Sequence, residues 1–270
     1  MNYEPGIGAT DELSLRVSVA TLARVVFQHP DNGEWMLAVE RKATLHKEKV
    51  EVKSQPFGGA IRILDLDAIH NLIGDFHFDS ERSRIERDFR LFIRPSSWSV
   101  LREFCIQHFS RVDDPILETD PARELIEEFH DALGISLQPE QYVSKPMTTV
   151  VEDEAAPTDN IHGQGLPTVR VYRIFEAHIT DAALIESMLK NSADISHEDL
   201  CRLARNASQK NGEDRANAIL TLPLKRISDF YLNIPLKERN APILFEDQRL
   251  DETVSTVLDG IAAPKYRRIF

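Results

Sequence analysis

At 270 residues and 42% hydrophobic content, the chain is long enough to bury a sizeable core. Its 44 acidic side chains outnumber the 32 basic ones, and a net charge of −12 argues against a nucleic-acid duplex or an anionic membrane surface as partner. Two cysteines, Cys105 and Cys201, give no disulfide framework and no zinc spacing; with no apolar run of 18 residues and no leader pattern over residues 1–11, the expectation is a cytoplasmic protein.

Residues 17–27 are β-branched and apolar and predict a strand. His29-Pro30-Asp31-Asn32-Gly33 supplies a turn, and residues 35–41 alternate as the partner strand of a hairpin. The charged stretch 42–53 reads as a solvated loop. Gln55-Pro56-Phe57-Gly58-Gly59-Ala60 places a glycine pair at a strand entrance, where backbone can approach a ligand or another segment closely. Taken alone, that pair reads as a β-bulge.

Residues 65–88 predict a short helix and a loop, 89–93 a strand ending before Pro95, and 96–109 an amphipathic helix. The strongest element lies at 119–135. Asp120 suits the N-cap, Pro121 the first turn and Gly134 the C-terminal stop, and Leu125, Phe129, Ala132 and Leu133 form one apolar stripe. Strands are expected at 142–151 and 168–177, flanking a polar loop at 152–167. Helices are expected at 181–191 and 196–210, short strands or turns at 218–222 and 226–232, and a final helix at 246–259. The basic run Lys265, Arg267 and Arg268 reads as a solvated end.

The opposite face of the 121–133 helix carries Glu124, Glu127, Glu128 and Asp131 at i, i+3, i+4 and i+7. Like charges at this spacing repel by a few tenths of a kcal/mol per pair. A hard divalent cation, which prefers oxygen ligands, would offset that repulsion. Acidic helix faces are also commonly just solvated.

The order Arg123-Glu124-Leu125-Ile126-Glu127-Glu128, on a helix that follows Phe57-Gly58-Gly59, resembles the core of the box that defines the Nudix (nucleoside-diphosphate-linked-moiety) family. The outer box departs from the family pattern. Phe109 and Pro115 stand where Gly and Glu belong, Glu118 lies nearby at a different spacing, and His130 replaces the Gly after the last Glu.

The resemblance implies a single Nudix-like domain over 1–270, an α/β/α sandwich around a mixed sheet with helical insertions at about 64–118 and 181–217. It implies Glu124, Glu127 and Glu128 as ligands of Mg²⁺, or of Mn²⁺ in its place, with Arg123 orienting a glutamate. Gly58 and Gly59 would lie beside bound phosphates. The implied activity is Mg²⁺-dependent hydrolysis of a nucleoside diphosphate linked to another moiety; many family members dimerise, so the resemblance leaves a homodimer and a monomer both open. The alternative is an inactive nucleotide-binding sensor on the same fold.

Overall fold

The computed structural model describes residues 12–46, 48–111, 113–157, 163, 165–211, 215–261 and 264–269. The readings of residues 1–11 and of most of the 158–164 loop lie outside them. No helix among the described residues is long and apolar enough to cross a membrane.

The fold is mixed α/β around one mixed sheet. Its first four strands are β1 (Leu15–Gln28), β2 (Trp35–His46), β3 (Lys49–Gln55) and β4 (Phe57–Ala60). The segment to residue 118 holds α1 (Leu66–Ile73), β5 (His77–Phe78), α2 (Glu81–Glu86), β6 (Arg90–Ile93) and α3 (Trp98–Phe109). After it come α4 (Ala122–Leu133), β7 (Tyr142–Ala156), β8 (Thr168–Ile179), α5 (Ala182–Asp194) and α6 (His197–Asn211). The chain ends with β9 (Arg215–Pro223), α7 (Leu224–Asn233), β10 (Ile243–Phe245), β11 (Gln248–Leu250) and β12 (Tyr266–Ile269).

β1 organises the sheet, and its near-continuous apolar sequence suits a strand covered on both faces. One edge pairs with β8 in parallel. The other serves three antiparallel partners in succession: β6 along residues 15–18, β4 along 20–23 and β2 along 25–28. β9 pairs with β2 along Met36–Thr44, and past the β1 contact β2 leaves β1 and pairs with β3 instead. The chain then crosses from β3 to β4 at Pro56, which has no N–H to donate to a ladder. β1 and β2 therefore part into a cleft with the β3–β4 crossing at its base.

Helices pack on both faces. Leu15, Val17 and Val19 meet Ile69, Ile73, Leu101 and Cys105 from α1 and α3. Ala23, Val25 and Phe27 meet Leu125 and Phe129 of α4 and Leu184 and Met188 of α5. Val26, Leu37 and Val39 meet Ile227 and Tyr231 of α7 together with Leu250, Val254 and Leu258. The 64–118 segment shares the first of these cores, since Phe89, Leu91 and Ile93 are buried in it.

Four expectations need correction. Residues 42–53 are not a loop: their charges alternate with Ala43 and Val52, which are buried against Leu200 and Ala204 of α6, so the stretch is a β2–β3 hairpin. Residues 226–232 belong to α7, whose buried Ile227 and Tyr231 are four apart, the spacing of a helix. The final helix at 246–259 is absent. A positive-φ turn at Glu246 and Asp247 feeds β11, and Asp251 caps a short 3₁₀ turn over residues 252–257, whose Thr253, Val254, Thr256 and Val257 are β-branched and disfavour an α-helix. The anticipated apolar residues Leu250, Val254, Val257 and Leu258 are buried nonetheless. The basic tail is not a solvated end either: β12 pairs with β7, Lys265 binds Glu252 at 2.7 Å, and Arg268 donates to the carbonyls of Thr256 and Leu258.

Candidate functional site

α4 is held from both ends. The helix starts one residue later than expected, with Pro121 at the N-cap; Asp120, just before it, accepts from the Ala122 N–H at 2.7 Å through Oδ1, and Gly134, at φ 68°, donates to His130 O at 2.7 Å. Leu125, Phe129 and Ala132 of its apolar stripe are buried and Leu133 is partly so, with Phe129 stacked on Phe57 of β4 at 4.9 Å between centroids. Burying Leu125 and Phe129 is worth about 2–3 kcal/mol each, against a few tenths for each carboxylate repulsion on the other face. Packing therefore sets where the acidic face points.

That face lands on the glycine pair. The Gly58 N–H donates to Glu128 Oε2, and a Cβ on Gly59 would lie 1.9 Å from Glu124 Oε2. Gly58 itself adopts φ 139°, and a Cβ there would meet Thr21 O at 2.1 Å. The pair is thus a close approach to β1 at one glycine and to α4 at the other. The predicted four-carboxylate stripe divides: Glu124 and Glu128 face β4, Glu127 is 57% exposed, and Asp131 pairs with Arg215 at 3.5 Å. His130 is exposed.

Arg123 ties these pieces together. Its Nε donates to Glu118 at 2.8 Å, its Nη2 to Ala60 O at 3.0 Å, and its Nη1 lies 2.6 Å from Glu124 Oε1. Glu118 is therefore the upstream acidic partner, at a spacing unlike that of the box. Burial pushes the Glu124 carboxyl up to about 7; Arg123 and Arg90 pull it down, while Glu127 and Asp88 add to the rise. Burial, and next the neighbouring Glu40, push Glu128 well above the usual carboxylate range against the Gly58 N–H and Lys42.

Sequence reasoning missed Glu40. It is fully buried on β2, where its Oε2 accepts from Gln55 Nε2 at 3.0 Å and lies 3.8 Å from Lys42 Nζ. Its Oε1 has no hydrogen-bond partner among the described residues. The signal was a carboxylate inside the apolar alternation of Trp35 to Arg41, a position where solvation is not available.

The cleft above this crossing is a cavity of about 630 Å³. Gly58, Gly59 and Ala60 form part of its wall, as do Lys42 and Gln55, which hold Glu40. β1 contributes Arg16, Ser18, Ala20 and Leu22, and β8 contributes Arg170 and Tyr172. The remaining charged wall comprises Arg90, Glu51, Lys53, Arg249, Asp251, Glu252 and Lys265. The cavity wall has seven basic and three acidic side chains, and four further carboxylates, Glu40, Asp79, Asp88 and Glu152, pair with those bases from behind the wall. No local pattern announces it, because the contributing residues are spread from Arg16 to Lys265.

The chain matches no family model, no curated protein and no solved structure. Among the described residues, no three His, Cys, Asp or Glu side chains stand together closely enough to hold a metal ion.

Proposed function

We propose that the chain is a divergent Nudix-like α/β/α sandwich whose cleft binds a nucleoside diphosphate linked to another moiety and hydrolyses its phosphoanhydride with Mg²⁺ or Mn²⁺. One observation carries the reading: Gly58 and Gly59 form a wall shared by the carboxylates of α4 and by the cationic cavity. A diphosphate needs cations around its oxygens and an open backbone beside it, and both occur at this wall.

The donor chemistry fits a hard cation. Glu40, Glu124 and Glu128 offer only carboxylate oxygens, and the unpartnered Glu40 Oε1 is the kind of buried atom that a bound cation would satisfy. As placed, these three stand too far apart to hold an ion together, so they would have to converge to bind one. When bound, it would neutralise charge on the phosphates and lower the pKa of water. Arg123 fixes Glu124 by a short ion pair and anchors α4 to the Ala60 carbonyl. Glu124, raised to about 7, is able to take up or give a proton near neutral pH. The cations of the cavity would orient the phosphates.

The test is hydrolysis by the purified chain with Mg²⁺ across a panel of nucleoside-diphosphate compounds, read as released phosphate, with Glu124→Gln, Glu127→Gln and Glu128→Gln alongside. Turnover abolished by Glu124→Gln and Glu128→Gln supports the enzyme. Turnover indifferent to both removes α4 from the chemistry. The separation of the carboxylates favours a second reading, a nucleotide sensor. Stabilisation by nucleotide without any product would establish it.

A further inference from the structure

The far end of the cleft carries a second constellation. On the central strand, Ser18 stands directly opposite Arg90 of β6 on one side and directly opposite Arg170 of β8 on the other. Arg16 lies two residues earlier on β1, on the same face. All four line the cavity. Three guanidiniums and a hydroxyl from three adjacent strands thus surround one patch of sheet.

Each arginine is supported by its own carboxylate. Arg16 forks onto Asp79 with Nε at 3.0 Å and Nη2 at 2.6 Å. Arg90 lies 3.2 Å from Asp88, and Arg170 donates to Glu152 at 2.6 Å. None of these carboxylates lines the cavity. The acids pair with the guanidiniums from behind, and the arginines contribute to the cavity lining while the acids do not. A fork onto one carboxylate uses two of the five N–H donors of an arginine. Burial holds Arg16 below its usual pKa; Asp79 opposes that fall, and proximity to Arg90 and Arg170 adds to it. Three clustered cations gain most from an oxyanion that presents several oxygens and carries close to two charges, which describes a phosphomonoester better than a carboxylate.

We propose that Arg16, Ser18, Arg90 and Arg170 form a subsite for a phosphomonoester, so that the ligand of the cleft is a nucleoside-diphosphate derivative bearing one further phosphate. This rests on the reading of Gly58 and Gly59 as the diphosphate end. Thr21 and Leu22 pair with those glycines, and Ser18 lies three to four residues before them, about 10–13 Å along β1. A sugar phosphate beyond the diphosphate spans such a gap.

The experiment is calorimetric titration of the full chain, in Mg²⁺, with two matched pairs: coenzyme A against dephospho-coenzyme A, and reduced nicotinamide adenine dinucleotide phosphate against the form without its 2′-phosphate. Inorganic phosphate is titrated separately. In at least one pair the extra phosphate is expected to tighten binding by about tenfold or more, as charge-assisted hydrogen bonds do. Arg90 is the residue to replace, because its side chain, 35% exposed, is the least buried of the three. Arg90→Gln should bring the ratio to about one, and Arg90→Lys should keep part of it. A ratio of one in both pairs, or no binding by any of the four, overturns the subsite. Inorganic phosphate alone binding as tightly as the phosphorylated compounds also overturns it, because the cradle would then serve the free ion. Hydrolysis is scored apart. A surviving preference with no Glu128-dependent turnover refutes the reaction and keeps the cradle, and turnover without preference does the reverse.

Discussion

The carboxylate of Glu124 occupies the space in which a side chain on Gly59 would begin. The neighbouring Gly58 is hemmed in by backbone instead, with Thr21 O at 2.1 Å from its would-be Cβ and φ at 139°. Adjacent glycines therefore answer to different constraints. Gly59→Ala pushes against the end of a flexible side chain, so it should fold, lose about 1 kcal/mol and lose its response to Mg²⁺. Gly58→Ala meets rigid backbone in a region closed to L-residues and should lose about 3 kcal/mol or more. Thermal melts of the two variants with and without Mg²⁺ check this, and equal destabilisation by both would contradict it.

A second expectation concerns pH. The folded-state pKa of Glu124 is raised from 4.5 to about 7, a preference worth ~3 kcal/mol for the protonated form. The sign follows from linkage. A raised carboxyl contributes stability below its unfolded pKa, and that contribution is lost as pH climbs towards 7. The metal-free protein should therefore be more stable at pH 5 than at pH 8, and Glu124→Gln should flatten the difference. Mg²⁺ competes with protons, so the stabilisation it provides should grow over the same interval. Chemical denaturation at several pH values, with and without Mg²⁺, reads both effects.

Local signals explain what could be read directly. α4 announced itself because Gly134 and the Leu125–Phe129 stripe agree on stop and face, with the start one residue past the expected Asp120 cap, and the Gly58-Gly59 pair announced a close approach. Longer-range features were hidden. Glu40 meets Gln55 and Glu128 only because β2 leaves β1, and nothing in residues 35–41 states where that strand goes next. The 246–259 segment has the periodicity of a helix, yet Leu250 is used as a strand residue beside Ser54. Its apolar positions were right and its backbone was wrong, since burial can be met by more than one local structure. The arginine cradle depends on register across β6, β1 and β8, which no single segment encodes.

Arg123 supplies a third test. It satisfies Glu118, Glu124 and the Ala60 carbonyl with one planar fork. Lysine carries a single ammonium and cannot span the three. Arg123→Ala and Arg123→Lys should both lose about 2–4 kcal/mol, as expected when partly buried charges lose their partner. Because Arg123 opposes the rise of the Glu124 pKa, its removal should move the midpoint of the pH dependence upward. If Arg123→Lys were as stable as the unmodified chain, the fork would not matter.

Glu40 gives the sharpest test of the metal reading. It is buried, keeps one oxygen without a partner, and adds to the repulsion that lifts Glu128. Glutamine keeps an oxygen to accept from Gln55 while removing the charge. In the absence of metal, Glu40→Gln should be as stable as the parent or melt a few degrees higher, because the repulsion that Glu40 exerts on the Glu128 carboxyl is removed. With Mg²⁺ at a hundredfold excess over Kd, the parent should gain about 2.7 kcal/mol, roughly 5–10 °C in Tm for a domain of this size. The variant should gain little. Thermal melts at pH 8 with and without Mg²⁺ decide the matter: a full Mg²⁺ shift in Glu40→Gln would remove Glu40 from the ligand set and leave its burial as a local device for holding Gln55 and Lys42.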